Sequence, residues 1–577
     1  MNASTFLNQF EHLAEAPNGI AKLRELILQL AVRGKLVPQD PDDEPASELL
    51  KRVESEKRRL IGEGALRKGK SWRPIELERA PYELPSGWQW ARLVDLGEIC
   101  GGGTPSKNHQ EYWNGGIPWI SPKDMKADLL VDSEMDVSPL ALEETVLRLI
   151  PAGSVLFVGR SGILRRMLPV AVNSVPCTVN QDLKVVIPYG NGLSTYVRLM
   201  LKGHERFILE TFVKQGTTVQ SLVYDELLTQ PFGFAPLAEQ KRIVAKVDEL
   251  MALCDDLEAK RQAKRSKKIA LNRASLHTLT EPSRDSLTAA WYRIRDHFAN
   301  LYTAPETVAD LRQTILQLAV MGRLVPQDPL DLPASELLKK IQAEKQRLIA
   351  ERIIPKTKSL EATGLEENPY DLPENWIWTR LGEIGRTQTG TTPKKSDVDS
   401  YGDDIPFLKP GDISWGRVDY GNDGLSRLGA EKHGRMAASG SSLMVCIGTI
   451  GKTQVIDRDC SFNQQINAVT PFRGVDPALL QWFLRSPYFQ DAAWARASST
   501  TISILNKGKW QSIPLPLPPL AEQKRIVAKV DQLMTLCDDL DTKLQQAQTD
   551  ADNLLTAIVH ELTWIGANRQ EESLNGK

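Results

Sequence analysis

The chain has 577 residues and a mass of 64.3 kDa, which exceeds what one hydrophobic core usually holds and predicts several domains. With 41% hydrophobic and 25% charged residues, the composition is that of a globular protein and excludes a disordered or fibrous one. The formal net charge of −2 argues against a protein that coats nucleic acid non-specifically, although local basic patches remain compatible with it.

Neither a membrane segment nor a metal centre is indicated by the sequence. No apolar run approaches the roughly 20 residues of a membrane helix, and residues 1–10 lack the basic start of a secretory signal. The six cysteines are scattered, without a CxxC pair or histidines at zinc spacing. We therefore expect a cytoplasmic protein with reduced cysteines, no bound metal and no membrane contact.

A helical repeat opens the chain (residues 1–79) and returns after its midpoint (306–368). The stretch from Leu23 to Ile61 recurs from Leu311 to Ile349, 288 positions further on. Apolar residues at helical spacing predict one helix that ends near Gly34 and Pro38, and a second that begins at Pro45.

Each helical repeat is followed by a segment of strand-like texture, residues 80–235 and 369–518. Both run from Leu-Pro-x-x-Trp through Thr-Pro and Ile-Pro-Trp/Phe turns to an Asn-Gln pair at 180 and 463. Short β-branched runs separated by Gly, Pro, Asn and Asp predict strands and turns. The two segments are interpreted as one α+β fold with divergent surfaces.

A long helix is predicted after each strand-rich segment, at residues 236–280 and 519–565. Residues 236–260 recur at 519–543, 283 positions further on, with four differences (Glu249/Gln532, Ala252/Thr535, Glu258/Asp541, Ala259/Thr542). The C-terminal helix carries apolar residues at alternating spacings of four and three, as in a coiled coil. These are Ile526, Val530, Leu533, Cys537, Leu540, Leu544, Ala547, Ala551, Leu554 and Ile558.

The first long helix begins with the same seam, Ile243 to Leu257, but Arg261, Lys264 and Lys268 then occupy its apolar positions. We expect the pairing to loosen or change face there. An apolar stripe must be buried, so the two long helices are predicted to pack antiparallel, giving a pseudo-twofold with one strand-rich domain at each end. Residues 281–305 are predicted to be a linker, and residues 566–577 a tail.

In this order of segments, the chain resembles the specificity subunits of type I restriction-modification systems. The residues that carry the resemblance are the Leu84-Pro85-x-x-Trp88 and Leu372-Pro373-x-x-Trp376 entries, the shared turns, the Asn-Gln pairs and Pro-Leu-Ala-Glu-Gln-Lys-Arg-Ile after each domain. The extended first repeat with Leu-Val-Pro-Gln-Asp is similar to the longer subfamily.

The resemblance implies a non-catalytic subunit with two target-recognition domains that read a split, asymmetric site in double-stranded DNA. It further implies two bound methyltransferase subunits and two motor-nuclease subunits. S-adenosylmethionine, ATP and Mg²⁺ are then expected on those partners, with no cofactor on this chain.

Two motifs are similar to catalytic ones but differ at essential positions. Residues 368–371, Asn-Pro-Tyr-Asp, lack the second proline of the Asn-Pro-Pro-Tyr motif of adenine methyltransferases, which favours a structural turn. Gly448 to Thr453 is similar to the end of a phosphate-binding loop, but the first glycine of that motif falls on Cys446. A tight glycine turn that presents a basic side chain is the better interpretation.

Residues for DNA contact are expected in loops that combine Arg, Lys or Gln with small residues, since Arg can fork onto guanine, Gln onto adenine, and Lys more often meets phosphate. Each could equally be a solvated surface residue, and the Asn-Gln pairs could instead satisfy buried backbone. The candidates are Ser106, Lys107, Arg160, Ser161, Arg165, Arg166, Gln181, Lys214, Thr217 and Thr218 in the first domain, and Lys394, Lys395, Lys409, Thr449, Lys452, Gln464 and Gln465 in the second.

Residues for partner binding are expected among charged positions that both long helices share, because equal surfaces bind equal partners. The candidates are Glu239, Lys241, Arg242, Asp255 and Asp256 in the first helix, and Glu522, Lys524, Arg525, Asp538 and Asp539 in the second. A solvated face is the alternative for the acidic pairs and for the basic stretch from Arg261 to Arg273.

Two other functional classes fit the sequence less well. A self-sufficient methyltransferase or nuclease would need a cofactor-binding glycine motif followed by Asn-Pro-Pro-Tyr, which the chain lacks. The other class is a scaffold whose variable domains grip proteins; competition by random duplex DNA against each domain would discriminate, and salt-insensitive binding without DNA would favour the scaffold.

Overall fold

A computed structural model describes residues 18–67, 75, 82–214, 216, 219–281, 284–356, 369–433, 435–499 and 502–564. The chain divides into unit 1, residues 1–263 with 548–577, and unit 2, residues 264–547. The divisions fall inside the two long helices, so each unit holds the beginning of one long helix and the end of the other. Thr217, Thr218, Asn368 and the tail lie outside the described residues.

The first helical repeat forms two helices, α1 (Gly19–Val32) and α2 (Ala46–Gly62), as the sequence predicts. Gly34 follows α1 with a φ of +65°, and a Cβ there would lie 2.5 Å from Cγ of Pro85. Only glycine meets both conditions. The repeat therefore packs closely against the Leu-Pro-x-x-Trp entry of the strand-rich domain.

The first strand-rich domain is built on a five-stranded sheet in the order β2-β10-β6-β8-β4. All four residues of β6 are buried, as expected for a central strand with both faces covered. Smaller sheets, β1-β13, β5-β3-β9 and β11-β12-β7, surround it. Its strands are β1 Gln89–Ala91, β2 Gly97–Gly101, β3 Trp113–Ile120, β4 Leu129–Leu130, β5 Asp136–Val137, β6 Val155–Val158, β7 Arg160–Ser161, β8 Val170–Asn173, β9 Thr178–Val179, β10 Leu183–Pro188, β11 Val213–Lys214, β12 Gln220–Leu222 and β13 Phe232–Phe234; its helices are α3 Leu93–Leu96, α4 Pro139–Glu144, α5 Ser194–Gly203, α6 Glu205–Phe212 and α7 Tyr224–Thr229.

The first long helix, α8, runs from Leu237 to Thr280. Its seam is buried as far as Cys254, residues 258–267 are exposed, and burial resumes at Asn272, Leu276 and Leu279. The exposed stretch includes Arg261 and Lys264, so the buried seam is interrupted where these residues occupy it, and the loosening of a pairing between the long helices stays a prediction. Since Cys254 and Asn272 are five turns apart at 3.6 residues per turn, the buried face stays the same.

The segment predicted as a linker, residues 281–305, contains two helices, α9 (Arg284–Asp296) and α10 (Phe298–Leu301). The prediction of a plain linker is therefore wrong. Ala290, Ile294 and Leu301 are buried in one cluster with the end of α8. These apolar residues are few and stand among charged ones, so their helical spacing did not stand out in the sequence.

The second helical repeat forms α11 (Pro305–Val320) and α12 (Ala334–Ala350). Gly322 repeats the role of Gly34, with a φ of +67° and a Cβ that would lie 2.5 Å from Cγ of Pro373. The two repeats thus enter their strand-rich domains in the same way.

The second strand-rich domain repeats the plan of the first. A four-stranded sheet, β15-β21-β18-β19, is joined by β17-β16-β20, β14-β24 and the hairpin β22-β23. β16 pairs in parallel with β20, as β3 does with β9. Its strands are β14 Ile377–Arg380, β15 Gly385–Thr389, β16 Tyr401–Leu408, β17 Gly424–Leu425, β18 Ser442–Val445, β19 Thr453–Val455, β20 Ser461–Phe462, β21 Ile466–Pro471, β22 Ser498–Ser499, β23 Ser503–Ile504 and β24 Pro514–Leu517; its helices are α13 Leu381–Ile384, α14 Arg427–His433, α15 Pro477–Arg485, α16 Pro487–Arg496 and α17 Lys507–Gln511.

The last helix, α18, runs from Leu520 to Trp564, close to the predicted bounds. Ile526, Val530 and Cys537 of the predicted seam are buried, but Leu554 is 64% exposed and Leu555 is buried instead. The seam assignment at Leu554 is therefore wrong. An α-helix that is not supercoiled drifts by about 20° per heptad, and over the four heptads from Ile526 this brings the next residue onto the buried face.

The architecture is α+β, with two repeated strand-rich domains and two long helices. The antiparallel pairing of the long helices and the pseudo-twofold stay predictions. Among the described helices, none is both long and apolar enough to cross a membrane.

Candidate nucleic-acid interface

In both strand-rich domains, the Thr-Pro turn lies against the Asn-Gln pair. The hydroxyl of Thr104 donates a hydrogen bond to Oε1 of Gln181, and that of Thr392 to Oε1 of Gln464. A glycine makes this approach possible, since a Cβ on Gly102 would lie 1.7 Å from the carbonyl oxygen of Val179. The two loops are therefore fastened to each other at equivalent places.

Within each Asn-Gln pair the two side chains have different roles. Asn180 is buried and its Oδ1 accepts hydrogen bonds from the backbone N–H of Asp182 (3.0 Å) and Leu183 (3.2 Å). Asn463 is buried likewise and accepts from the N–H of Gln465 at 3.0 Å. Gln181 and Gln464 are exposed. The asparagines thus satisfy backbone, and the glutamines are available to a ligand.

Arg160 and Lys214 join this site in the first domain. The N–H of Arg160 donates to the carbonyl oxygen of Asp182 (3.1 Å), next to Gln181. Arg160 is paired with Ser221 on β12, which is paired in turn with Lys214 on β11. Two basic side chains, both exposed, are thereby carried on one small sheet beside the exposed glutamine.

The other candidates of the first domain surround this small sheet and the Thr-Pro turn. Arg165 and Arg166 are exposed at the end of a 3-10 turn, with Nη2 of Arg165 3.5 Å from the carbonyl oxygen of Gly216. Ser161 caps that turn through the N–H of Ile163, so its hydroxyl has a structural role. Ser106 and Lys107 are exposed in the turn after Thr104.

In the second domain, Lys394 and Lys395 are exposed in the turn that follows Thr392. This loop is tied down by Asp397, which contacts Nζ of Lys432 and Nε2 of His433, both at 3.0 Å. Hydrogen bonds from Lys432, His433 and Ser400 lower the pKa of Asp397 to about 2. The basic turn is therefore held by charges from α14.

Two further candidates of the second domain, Lys409 and Gln465, lie around the Asn-Gln pair. Lys409 follows Leu408 of β16, which accepts a hydrogen bond from the N–H of Asn463 (3.0 Å). Nζ of Lys409 lies 2.6 Å from the carboxylate of Asp423. Gln465 is half-buried, and its Oε1 accepts from the Asn463 amide at 3.0 Å. Both side chains are thus engaged within the domain.

The turn with Thr449 and Lys452 is a glycine turn between two strands. Gly448 and Gly451 have φ values of +79° and +106°, and β19 follows instead of a helix. A phosphate-binding loop leads into a helix, so the interpretation as a turn is confirmed. Thr449 is exposed, whereas Lys452 is only half-exposed.

The hairpin β22-β23 lies beside the glycine turn that carries Thr449 and Lys452. It was not predicted to contact DNA. The N–H of Gly448 donates to the carbonyl oxygen of Ser503 (2.9 Å), and Ile502 is 57% exposed at the hairpin. The signal was present, because Thr217-Thr218-Val219 recurs 283 positions later as Thr500-Thr501-Ile502. In the described parts of both domains, the small hairpin lies beside the Gly159 or Gly448 turn.

Two residues predicted to face a partner are buried inside the chain. Glu239 accepts hydrogen bonds from Nε1 of Trp88 (2.9 Å) and Nε2 of Gln39 (2.8 Å). Burial raises the pKa of Glu239, against the opposing effect of these bonds. Glu522 has the same environment, with Trp376 and Gln327 as donors and a raised pKa. Their assignment to a partner surface is wrong.

The remaining charged candidates divide between internal ion pairs and exposed positions. Arg242 pairs with Asp43 and Arg525 with Asp331, while Asp255 pairs with Arg24 and Asp538 with Arg312. These pairs fasten each helical repeat to the beginning of its own long helix. Lys241, Lys524 and Asp539 are exposed, and so is Asp256, which pairs with Lys260 on the same helix.

The chain is similar to known proteins over most of its length. A family model described as the type I restriction modification DNA specificity domain matches residues 85–264 and 373–547. The chain is 33% identical to the EcoAI specificity subunit of Escherichia coli, covering 94% of this chain and 93% of that one. It is 32% identical to the EcoEI specificity subunit of Escherichia coli, with the same coverage.

A likeness to a solved structure is weaker. The HsdS subunit from Thermoanaerobacter tengcongensis superposes with a TM-score of 0.39 at 19% identity, covering 84% of this chain and 98% of that one. The matched residues of the family model include both Thr-Pro turns, both Asn-Gln pairs and both small hairpins.

Proposed function

This chain belongs to the family of DNA specificity subunits of type I restriction-modification systems, and we propose that each of its strand-rich domains reads one part of a two-part, asymmetric DNA sequence. The observation that carries the proposal is the pair of equivalent loop surfaces with unequal side chains. Thr104–Gln181 and Thr392–Gln464 preserve the scaffold, while the surrounding residues differ.

The side chains that differ between the two domains are those expected if each domain recognises a different DNA sequence. Among the candidate residues, both domains present an exposed glutamine and exposed lysines, but the exposed arginines (160, 165 and 166) all lie in the first domain. Arginine can make a bidentate contact with guanine, whereas lysine more often neutralises phosphate. Unequal donor sets on equal scaffolds favour two different half-sites.

The same reasoning favours two equal partners on the helices, namely two methyltransferase subunits. Several exposed residues are identical in both long helices, and an equal partner on each helix would explain their identity. Lys241, Ala245 and Asp256, with their counterparts 283 positions later, fall on the side of the helix away from the buried seam, and Leu253 lies on the flank of the seam. Leu253 and Leu536 are 39% and 56% exposed, which suits an interface centre.

In the complete complex we place S-adenosylmethionine on the methyltransferase subunits, and ATP and Mg²⁺ on two motor-nuclease subunits. This chain then supplies no catalytic group. Its contribution is the choice of the DNA sequence and the recruitment of the subunits that act on it.

The test is to express the chain with its methyltransferase partner in cells without other adenine methylation and to map the methylated adenines. A two-part, asymmetric motif is expected. Replacing residues 369–518 with the corresponding domain of another specificity subunit should change only one part of that motif, and replacing residues 80–235 should change only the other.

A palindromic or single-part motif would contradict the proposal. A further control incubates the isolated chain with radiolabelled S-adenosylmethionine and duplex DNA, where no methyl transfer is expected. Transfer by the isolated chain would favour the self-sufficient enzyme instead.

A further inference from the structure

The two repeat helices carry opposite charges at equivalent positions. Residue 22 of α1 corresponds to residue 310 of α11, 288 positions later, and these are Lys22 and Asp310. One turn earlier, Asn18 corresponds to Glu306. From Leu23 to Ile61, 28 of the 39 residues are identical in the second repeat and none of the differences reverses a charge, so the reversal is confined to one end of each helix.

In unit 1, Lys22 contacts the end of α18. Its Nζ lies 3.0 Å from Oδ1 of Asp552 and donates hydrogen bonds to the carbonyl oxygen of Asp552 (3.1 Å) and the hydroxyl of Thr556. Asn18 also donates to Asp552, at 3.4 Å. A basic position on the repeat helix thus meets an acidic position on the helix end.

In unit 2, the charges of the equivalent contact are exchanged. Asp310 lies 2.8 Å from Nε of Arg273 at the end of α8, and Glu306 forms an ion pair with Arg265. Arg273 of α8 corresponds to Thr556 of α18, 283 positions later. An acidic repeat helix therefore meets a basic helix end at the place where unit 1 has the opposite arrangement.

The buried residues beside these charges also differ. Asn272 of α8 corresponds to Leu555 of α18, and both are fully or almost fully buried. Asn272 lies next to the buried hydroxyl of Tyr302. A polar group in an otherwise apolar helix contact is a known device for selecting one pairing over another.

We propose that these reversed charges, with Asn272, determine which long-helix end docks on which repeat helix, and that they disfavour docking between copies of the chain. If the end of α8 docked on α1, Lys22 would face Arg273. If the end of α18 docked on α11, Asp310 and Glu306 would face Asp552. Like charges in contact oppose both wrong pairings.

The duplication creates the need for such a device. The repeats share 28 of the 39 residues from Leu23 to Ile61 and from Leu311 to Ile349, so both repeats offer a similar surface to a long-helix end. In a solution of unfolded chains, wrong pairings would link different copies into oligomers. The basic stretch of α8 then contributes to the choice of the docking partner, besides interrupting the apolar seam.

The sharpest test keeps the ion pairs of unit 2 but removes the charge difference between the two docking sites. In the fourfold variant R265D, R273D, E306K and D310K, each ion pair of unit 2 is kept with reversed sign. At the contact, both repeat helices then carry basic residues and both long-helix ends carry acidic ones. After refolding from denaturant, this variant should form about threefold more oligomer than the parent, as expected when an exposed charge preference is lost. Light scattering coupled to size exclusion measures the fraction.

Adding K22D and D552K to that variant reverses every pair and restores the difference between the units. The sixfold variant should therefore regain the monomer fraction of the parent. Equal monomer fractions for parent and fourfold variant, or no recovery in the sixfold variant, would overturn the proposal.

A salt series on the unmodified chain keeps the test informative if the variants fold poorly. Exposed pairs are screened over about 3 Å at 1 M salt, so the oligomer fraction after refolding should rise about threefold between 0.1 and 1 M sodium chloride, the same loss of charge preference. An oligomer fraction that does not rise with salt would contradict a role for these charges.

Discussion

The indole nitrogen of Trp88 donates a 2.9 Å hydrogen bond to Oε2 of Glu239, a carboxylate that is almost fully buried. Trp88 belongs to the entry of the first strand-rich domain and Glu239 to the first turn of α8. Gln39 of the helical repeat donates to the other carboxylate oxygen at 2.8 Å. One carboxylate therefore joins three segments that are far apart in the sequence, and Glu522 does the same in the second copy.

Replacing Trp88 or Trp376 with Phe should destabilise the corresponding unit by about 2 kcal/mol. The variant leaves a buried carboxylate oxygen without its donor, and an unsatisfied buried acceptor costs about 1–3 kcal/mol. Chemical denaturation followed by circular dichroism measures the change. Trp291→Phe is the matched control, because Trp291 is 56% exposed, and a control loss as large as that of Trp88→Phe would contradict the assignment.

The double variant Glu239→Gln, Glu522→Gln should change the pH dependence of stability. Burial raises the pKa of both carboxyls above 4.5. A carboxyl with a raised pKa in the folded chain stabilises it below the unfolded pKa and loses that contribution as the pH rises through the folded pKa. Relative to the parent, the variant should therefore gain stability as the pH rises above 4.5.

Denaturation midpoints of parent and variant across that pH range give the difference directly. Glu143→Gln serves as the control, since Glu143 is exposed on α4. A difference that is flat, or that falls as the pH rises, would show that the two buried carboxyls do not titrate in the predicted sense.

Much of the fold could be predicted because the chain repeats itself. The duplicated helices and the shared Leu-Pro-x-x-Trp entry define the order of the segments, and the bounds of α18 are within a residue or two of the prediction. The seam was predicted at Leu554 instead of Leu555 because a heptad pattern assumes a supercoil, and a helix that is not supercoiled departs from that pattern by about one residue over four heptads.

The candidate site was less predictable, because the sequence gives residue types but not their neighbours. Glu239 and Arg242 are identical to their counterparts in the second copy, and either a partner or an internal network explains such identity. Only the structure brings Trp88 and Asp43 to them. For Asn180 and Gln181, burial decides which of two adjacent amides serves the backbone.

The variant Leu253→Asp, Leu536→Asp should weaken binding of the proposed methyltransferase subunits by about tenfold or more. A charge at an apolar interface centre typically costs more than 1 kcal/mol. Titration of the purified methyltransferase subunit measures the affinity, and circular dichroism verifies the fold. Leu330→Asp is the control, because Leu330 is 89% exposed and has Asp42 as its counterpart. Equal binding by parent and double variant would remove these leucines from the interface.

Replacing Lys214 or Lys394 with Ala should weaken DNA binding without changing the sequence preference. Lysines of this kind are expected on phosphates, so each substitution should lower the slope of log affinity against log salt by about one. Binding of the complex to its target and to random duplex at several salt concentrations measures both effects. A selective loss on the target alone would indicate a base contact instead.

Replacing Gln181 or Gln464 with Ala should relax recognition of one half-site and leave the other unchanged. Each glutamine is exposed and held by a threonine hydroxyl, so its amide is oriented before DNA arrives, and a bidentate amide contact with adenine discriminates by about 1–3 kcal/mol. The methylated sequences should therefore become degenerate at a position in one part only. Thr104→Val and Thr392→Val, which keep the glutamine but release it, should give a smaller loss at the same position. Degeneracy in both parts, or none, would place the glutamines outside the base-reading surface.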